Sequence, residues 1–528
     1  RRKVIRMKIH TKGMLALLLL SAASLTACGG PATSSDIDFP DEPTLDADWK
    51  GKVTWWVTYA EDKVRGDEDD SNYAAWWYAV DTAAAFTKAN PNIEVEVVYR
   101  GTKTSGNDYV GVANAVSAGL ATGDIPNLVT TYGTYIIPWA NSAANPVFDV
   151  TAHGRALAKE GDIPENVLKS ERDQYGGTRY LSLPYSKSTE AMQINREVFA
   201  KVGAGKAGAD AGSYVAPTSG EGKKEYKVPT TFTEMMELAA QMKADYPSIF
   251  NGEKEGDYVK AWPCIYEGGD NLFYTVMQSA GIPVETDDKE ATKAVLFNND
   301  EAKKVVAQLK KWNNDGLICT ANQLPISTGT YHQYPSNVFG AGNAFMIFSS
   351  TANAPWMAAD GYSVGFEAMP AWNKDAKKVA ISQGPSICVF NKKDKNEVAA
   401  SLKFYDYLTN AENSAILATQ TSYLPLRKSS KEVASVKDQI AKYNAGYTYE
   451  TAKADKKSAY GGATMVLNDT YVANNAYFMS PVNDWSYKVR TQVKAIIDGV
   501  FDGKATTDEE INTLVENQFK AAYEAVLK

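Results

Sequence analysis

Between residues 52 and 132 the chain switches back and forth between two apolar periods, and this limits its fold more than any other feature. Lys52-Val53-Thr54-Trp55-Trp56-Val57-Thr58-Tyr59 is dense in β-branched and aromatic residues and reads as a buried strand. Residues 73–89 place Trp76, Trp77, Val80, Ala84 and Phe86 on or near one helical face, and Asn90-Pro91 stops that helix. Residues 93–99 alternate like a strand, and residues 109–121 form a second helix that ends at Gly123. The turn Asp124-Ile125-Pro126-Asn127 leads into a third strand at 128–132. Strand, helix, strand, helix, strand is the pattern of an α/β domain with a mostly parallel sheet. Ligands of such sheets gather outside the carboxyl ends of the strands, which here means the loops after Val57 and Thr131.

Beyond residue 132 the pattern is mixed. Short strands are predicted at 180–185 and 190–195, with a helix start at 196–202. Residues 203–228 are rich in Gly, Lys and Ser and read as a surface insertion. A helix runs from about 230 to 244, with Thr231 or Thr233 as its cap, and another covers 301–313. Residues 344–348 form a buried strand entering Ser349-Ser350-Thr351, and 381–390 form a strand interrupted by Gly384-Pro385. The remainder is mainly helical, at 395–408, 412–420 and 508–527, with residues 428–457 as solvated helix surface or loop.

The N-terminus is a different kind of sequence. Arg1, Arg2, Lys3, Arg6, Lys8 and Lys12 precede the apolar run 14–20, and small residues follow. That order is a secretion signal, and its apolar core is shorter than the roughly 20 residues of a spanning helix. Leu25-Thr26-Ala27-Cys28 resembles the lipobox of bacterial lipoproteins. The resemblance implies lipid attachment at Cys28, whose nucleophilic sulfur can take a thioether-linked chain, and an extracytoplasmic protein held to the cell membrane by lipid alone. Residues 28–49 read as a flexible tether. Removal of residues 1–27 takes away six positive charges and moves the formal net charge from −8 to −14, which argues against nucleic acid as a partner. Cys264, Cys319 and Cys388 fit no zinc spacing; one disulfide plus one free thiol, or three buried thiols, are both open.

The order of these signals resembles the family 1 extracellular solute-binding proteins of ABC importers, the group of maltodextrin- and glycerol-3-phosphate-binding proteins. Five places carry the likeness. They are Val53-Thr54-Trp55-Trp56; Phe86-Thr87-Lys88-Ala89-Asn90-Pro91-Asn92-Ile93; and the turn Gly123-Asp124-Ile125-Pro126-Asn127. The other two are Leu183-Pro184-Tyr185 with Ile194-Asn195-Arg196-Glu197-Val198-Phe199, and Phe339-Gly340-Ala341-Gly342-Asn343-Ala344-Phe345-Met346. The resemblance implies a two-lobed α/β periplasmic-binding-protein fold (type II) with three inter-lobe crossings, near Tyr185, Ser349 and Gly384. Lobe 1 is then expected at 50–185 plus 350–384 and lobe 2 at 186–349 plus 385–528. It further implies a monomer that delivers a small polar solute to ABC permease subunits, without cofactor or metal.

Such a site holds a polar ligand by hydrogen bonds and ring stacking and closes over it. Tyr59 and Glu61, with Trp56 and Asp62, follow the first strand and offer rings and carboxylates; Tyr132 ends the third strand. Placed at the implied crossings, Ser186, Ser188, Ser349, Ser350 and Thr351 offer hydroxyls beside backbone N–H groups. Gly384 allows close approach of backbone to ligand. Tyr423 lies in a segment, 421–427, that resembles a cleft loop of the family. Arg490 and Trp485 lie in 480–490, which resembles the region of the glycerol-phosphate branch's anion-binding arginine; a guanidinium fork clamps phosphate or carboxylate. In that branch an acidic residue is expected after the third-strand tyrosine, whereas Tyr132 is followed by Gly133. Carbohydrate therefore ranks ahead of a phosphorylated polyol. The 30 tyrosines and 11 tryptophans, with apolar faces and polar edges, suit sugar rings as well as they suit a large core.

Two other classes stand beside this reading: an anchored glycan-acting enzyme and an adhesive scaffold. A metal or triad enzyme would call on histidine, and beyond residue 27 only His153 and His332 are present, both in loop-like settings. The acidic run 67–70 reads as a solvated loop before it reads as a calcium site.

Overall fold

The computed structural model describes residues 41–61, 71–104, 107–143, 145–173, 177–198, 226–250, 261–286, 288, 290–324, 334–357, 362–447, 449–454, 456–480 and 482–528. Cys28, the apolar leader, most of the insertion, the acidic run 67–70 and His332 lie outside them.

Twelve strands are present among the described residues: β1 Gly51–Val57, β2 Ile93–Tyr99, β3 Leu128–Thr131, β4 Leu183–Pro184, β5 Glu190–Asn195, β6 Cys264–Tyr266, β7 Ile318–Thr320, β8 Met346–Ser350, β9 Val364–Glu367, β10 Ala380–Ile381, β11 Ser386–Val389 and β12 Tyr477–Phe478. They form two five-stranded sheets, β2-β1-β3-β11-β4 and β7-β6-β8-β5-β9, with β10 and β12 paired separately. The two sheets share one plan. Three parallel strands carry the βαβ part, and the fourth strand runs antiparallel to both of its neighbours. The result is a two-lobed α/β fold with one sheet in each lobe.

Strand β1 shows why this sequence makes a covered sheet. Val53, Trp55 and Val57 face one side, in a core with Phe86, Leu128, Phe404 and Tyr405. Trp56 faces the other side, with Val112, Val116, Val129 and Ile136. The register repeats this alternation across the sheet, with Trp55 opposite Leu128 and Trp56 opposite Val129. Both faces are apolar because helices cover both, as a parallel sheet requires. Trp55 is fully buried, donates to Thr130 Oγ1 at 2.9 Å and meets Tyr185 and Phe404 edge-on.

The division of the chain between lobes differs from expectation. β9 belongs to the lobe 2 sheet through β5, and β11 belongs to the lobe 1 sheet through β3 and β4. Helices Lys395–Leu408 and Ala411–Thr421 pack into lobe 1. The cause is the Gly384-Pro385 break. It cuts the predicted strand 381–390 into β10, on the lobe 2 side, and β11, in lobe 1. Ser349 is not a crossing, because β8 pairs with β5 through it and continues into a 3₁₀ turn of the same lobe. The crossings run through 185–189, through 382–385, and along the helix Ala434–Ala445, where Val436 packs with Ala415, Ala418 and Met465.

The first two crossings are bonded together. Ser188 N–H donates to the Gln383 carbonyl at 2.8 Å, and Gln383 N–H donates back at 2.9 Å. Gly384 has φ +105°, and a Cβ there would stand 2.1 Å from the Ser186 carbonyl oxygen. The glycine is therefore required by backbone-to-backbone contact between crossings. Lys187 of the first crossing staples the second. Its Nζ lies 2.6 Å from Glu171 Oε1 and donates to Ser386 Oγ at 2.9 Å and to the Gly384 carbonyl at 3.3 Å. Glu171 is fully buried and also accepts from Ser182 at 2.6 Å and from Ser386 at 2.7 Å.

Residues 41–49, expected as tether, lie against lobe 1. Trp49 Nε1 donates to Asp394 Oδ2 at 2.8 Å, and Asn396 Nδ2 donates to Asp46 Oδ2 at 2.9 Å. His153, expected in a loop, sits buried in the helix Thr151–Glu160, with Nδ1 3.1 Å from Glu42 and Nε2 2.9 Å from Asp406. Cys264, Cys319 and Cys388 are buried and form no disulfide among the described residues, and burial raises the thiol pKa of Cys264 and Cys388.

Two tests follow from these contacts. Lys187→Met leaves Glu171 buried without its cation, and chemical denaturation is expected to show a loss of about 3–5 kcal/mol. The double change with Glu171→Leu should restore most of that stability; equal losses in both variants would remove the staple. For His153, burial works against the charged ring, but the bonds to Asp406 and Glu42 outweigh it and push the pKa up to about 9. A raised imidazole pKa contributes stability that is complete below the unfolded value and is lost as pH rises through the folded one. Wild type should thus lose about 2–3 kcal/mol between roughly pH 6.5 and pH 9, a slope absent from His153→Gln. Parallel melting-temperature profiles for the two proteins would contradict the clamp.

Candidate functional site

A cavity of about 370 Å³ lies where the two lobes and the first two crossings meet. That volume is within the range of roughly 300–1,000 Å³ usual for small-molecule sites. Lobe 1 supplies Tyr109, Val110 and the run Tyr132, Gly133, Thr134 and Tyr135. The crossings supply Lys187, Ile381, Ser382, Gln383, Gly384 and Ser386. Lobe 2 supplies Tyr274, Ser480, Ser486, Tyr487 and Arg490 as its polar wall.

Local structure explains why these residues converge. β3 ends at Thr131, and Tyr132 then takes an extended backbone as N-cap of the helix Gly133–Ala140, without a side-chain cap. The first turn of that helix therefore presents its N–H end at the cavity. From lobe 2, the helix Ser486–Asp502 also begins without a side-chain cap, and Ser486 and Tyr487 line the same space. Each terminus carries partial positive charge toward the cavity. Tyr109 starts the helix Tyr109–Thr122, capped by Asp108, whose carboxylate accepts from Gly111 N–H at 2.9 Å. The Tyr109 and Tyr132 rings lie 4.7 Å apart at 57°. Across the mouth, the Tyr135 ring of lobe 1 sits 6.1 Å from Tyr487 of lobe 2, and Asn141 Nδ2 donates to Asp484 Oδ1 at 3.1 Å.

Arg490 is the best-anchored group in the cavity. Its Nε lies 2.9 Å from Asp270 Oδ2, Nη1 donates to Ser480 Oγ at 3.1 Å, and Nη2 donates to Asn271 Oδ1. The guanidinium also lies over the Tyr274 ring, 5.5 Å from its centre. Burial opposes its charge, but Asp270 raises its pKa further, so it stays cationic. Two of its five N–H groups are hydrogen-bonded, to Ser480 and Asn271, and Nε is ion-paired with Asp270. The charges at the cavity wall are paired within the protein, Arg490 with Asp270 and Lys187 with Glu171.

Of the residues singled out in the sequence, Tyr132, Gly384 and Arg490 line the cavity. Tyr59 and Tyr423 stand behind it, close to Ser186, Tyr109 and Tyr132. Burial raises the Tyr59 hydroxyl to about 12; it and Ser186 influence one another without reaching hydrogen-bond geometry. Ser188, Ser349 and Ser350 use their hydroxyls inside the fold. Ser349 accepts from Gln193 Nε2 at 2.9 Å, Ser350 donates to Ser188 at 3.3 Å, and Ser350 caps the turn after β8. Glu61 is exposed and Trp485 packs against the lobe 2 core; neither lines the cavity. Trp56 is buried on the sheet face, 5.4 Å from the Arg100 guanidinium.

Tyr109, Thr134, Tyr135, Lys187, Tyr274 and Tyr487 also line the cavity and were not singled out in the sequence, whereas Gly133, marked there as the residue after Tyr132, lines it as well. A signal existed for some of them: helices following parallel strands start at the ligand end of the sheet, which marks 109 and 133–135. Lys187 stood between two serines already chosen. Nothing local marked Tyr274.

Among the described residues, no group of three or more His, Cys, Asp or Glu side chains is arranged to hold a metal ion. No helix among them is long and apolar enough to cross a membrane.

The comparison with known proteins gives one consistent picture. The sn-glycerol-3-phosphate-binding periplasmic protein UgpB of Escherichia coli (strain K12) is 26% identical over 361 residues, 66% of this chain and 71% of that protein. The UgpB of Salmonella typhimurium is 25% identical over 460 residues, 84% of this chain and 90% of its own length. In fold, UgpB from Mycobacterium tuberculosis, solved with glycerophosphocholine, superimposes with a TM-score of 0.58 at 14% identity, covering 91% of this chain and 100% of that one. The cyclic alpha-maltosyl-1,6-maltose binding protein of Arthrobacter globiformis superimposes equally well, with a TM-score of 0.58 at 14% identity, 90% of this chain and 99% of that one. The family described as bacterial extracellular solute-binding protein matches residues 81–445, well over half the chain. With its paired sheets, bonded crossings and inter-lobe cavity, this chain belongs to the bacterial extracellular solute-binding protein family.

Proposed function

We propose that the chain captures a carbohydrate in the cavity between its lobes and hands it, unaltered, to the permease subunits of an ABC importer. One observation carries this reading: the cavity is walled by tyrosines from both lobes, and its charged groups already have partners. Tyr109, Tyr132 and Tyr135 face Tyr274 and Tyr487, so a ring entering between the lobes meets apolar faces with hydroxyl edges. The Arg490 N–H groups not bonded within the protein and the uncapped helix starts donate to ring oxygens. Closure then follows from tighter contact with the closed form than with the open one. Cys28 would carry the lipid that keeps the protein, as a monomer, beside its permease outside the cytoplasm.

A second reading is favoured by a separate observation. Two helix N-termini and Arg490 converge on one space, the arrangement that receives a phosphate. The UgpB relatives are named for sn-glycerol 3-phosphate. A phosphorylated polyol would engage the same groups.

Titration calorimetry against maltose, maltotriose and sn-glycerol 3-phosphate separates the readings. The carbohydrate reading expects binding of a neutral sugar that survives high salt, with the sugar recovered intact. Arg490→Ala should weaken it about tenfold to a hundredfold, as loss of hydrogen bonds from a charged group does. Binding of the phosphate compound alone, weakened by salt, would transfer the assignment to the second reading; conversion of any probe would point to an enzyme. For the anchor, Cys28→Ser is expected to release the protein from the membrane fraction, and a soluble wild-type protein with an unmodified thiol would refute it.

A further inference from the structure

Two buried carboxyl groups stand directly behind Arg490, and neither lines the cavity. Asn271, which accepts from Arg490 Nη2, donates through Nδ2 to Glu190 Oε1 at 2.7 Å. Glu190, on β5, is 2% exposed, and its other oxygen accepts from the Tyr266 hydroxyl. Tyr274, whose ring lies under the guanidinium, donates through its hydroxyl to Glu285 Oε1. Glu285 is 7% exposed, and its Oε2 accepts from Ser486 Oγ at 3.0 Å. Two of the arginine's supports in lobe 2 thus each end on a buried acid. The same network reaches the second crossing, since Asn271 Nδ2 also donates to Gln383 Oε1 at 3.1 Å.

We propose that Glu190 and Glu285 are positioning residues for Arg490, and that closing the cavity over a solute draws protons onto them, so that capture tightens in mildly acidic surroundings. The proposal rests on the cavity being the solute site. A guest beside Arg490, Tyr274 and Ser486 replaces high-dielectric solvent in the cavity with low-dielectric matter and so weakens the long-range stabilisation of the two buried carboxylates behind them, which favours their neutral forms. A neutral guest acts through desolvation alone; an anionic guest adds repulsion, in the same direction.

The surroundings of both acids suit this exchange. Around Glu190 stand Tyr266 of β6, Asn271 and Asp270 of the helix Gly269–Ala280, Glu267 just before it, and Arg490 of the helix Ser486–Asp502. Tyr471, from the helix Lys456–Ala473, donates to the Glu190 backbone carbonyl at 3.1 Å. Burial pushes the Glu190 carboxyl up to about 7 against the bonds from Tyr266 and Asn271, while Glu267 and Asp270 push it further. Around Glu285 stand Tyr274, Ser486, Arg490 and Asn483; burial pushes it up to about 7 although all four pull it down. A protonated Glu190 keeps its partners satisfied, because the Tyr266 hydroxyl has a second acceptor in Thr275 Oγ1 at 3.3 Å. Protonation therefore changes the charge behind the arginine more than it changes the packing.

The test compares the wild-type chain with Glu190→Gln/Glu285→Gln by calorimetry at about pH 6 and about pH 8, in buffers of different ionisation enthalpy, with maltose and sn-glycerol 3-phosphate as probes. Wild type is expected to bind about threefold to tenfold more tightly at the lower pH, with net proton uptake, and the double variant is expected to lose both effects. Positioning is read separately: Glu190→Ala, which removes one of the two acceptors of Asn271 Nδ2, should weaken binding, and Glu190→Gln should restore it. A pH-independent wild type, or the same profile in the double variant, overturns the proposal. Should neither probe bind, the solute reading fails on its own account. Carbon-13 NMR of the free protein then decides: glutamate carboxyl signals missing from the double variant must move near neutral pH, and titration below about pH 5 sinks the idea.

Discussion

The pairing of the first two crossings carries the rest of the architecture. Ser188 and Gln383 exchange backbone hydrogen bonds at 2.8 and 2.9 Å, and Gly384 presses against the Ser186 carbonyl with φ +105°. A side chain at 384 would force the segments apart. Because they run together, β4 and β11 enter one sheet on one side while β5 and β10 leave into lobe 2 on the other. The same pairing sets Lys187, Ser382, Gln383 and Ser386 at the meeting point of the lobes, where they become the floor of the cavity. The segments that join the lobes and the floor of the cavity are thus one set of residues, so a change in the angle between lobes would change the cavity.

Electrostatics follows the same economy. A buried charge is costly unless it is paired, and Lys187 and Arg490, both at the cavity, each have a carboxylate within 2.9 Å. These pairs hold the donors still: Lys187 spends its three N–H groups on Glu171, Ser386 and Gly384, whereas Arg490 keeps N–H groups beyond those bonded to Ser480 and Asn271, so the wall is polar without carrying a large net charge. The helix starts at Gly133 and Ser486 add oriented N–H groups at no cost in side-chain order. Under the proposed reading a guest rich in hydroxyls would use every part of this wall, and a phosphate mainly the donors. Behind the wall, Glu190 and Glu285 accept hydrogen bonds from neutral hydroxyl and amide groups.

Much of the fold was legible in the order of residues. Strands at 52–59, 93–99 and 190–195 and helices at 73–89, 395–408 and 508–527 appear close to their observed bounds. Their apolar periods are strong and their stops, Asn90-Pro91 and Gly123, are local. The short strands β6 and β7 were missed, since segments of three buried residues carry no period of their own, and the twelve-residue helix Gly269–Ala280 between them was missed as well. Among the residues that line the cavity, Tyr132, Gly384 and Arg490 were marked in the sequence by position and family likeness, whereas Tyr274 and Lys187 were not. Ser349 drew attention as a crossing hydroxyl, yet its register opposite Ala191 turns it inward to Gln193.

What the sequence alone determined is everything that depends on near neighbours: the alternation that makes an α/β sheet, the caps and stops, and a break at Gly384-Pro385 where one strand could not continue. Tertiary structure decided what lies on either side of that break, sending β11 to lobe 1 and leaving β9 and β10 with lobe 2. It also decided which hydroxyls face the cavity, which are spent on other side chains, and which acids stand behind Arg490. Those outcomes depend on contacts between residues hundreds of positions apart, such as Lys187 with Ser386 and Asn271 with Arg490. The free energy of such contacts appears only once both segments are folded against each other, so no local pattern records it.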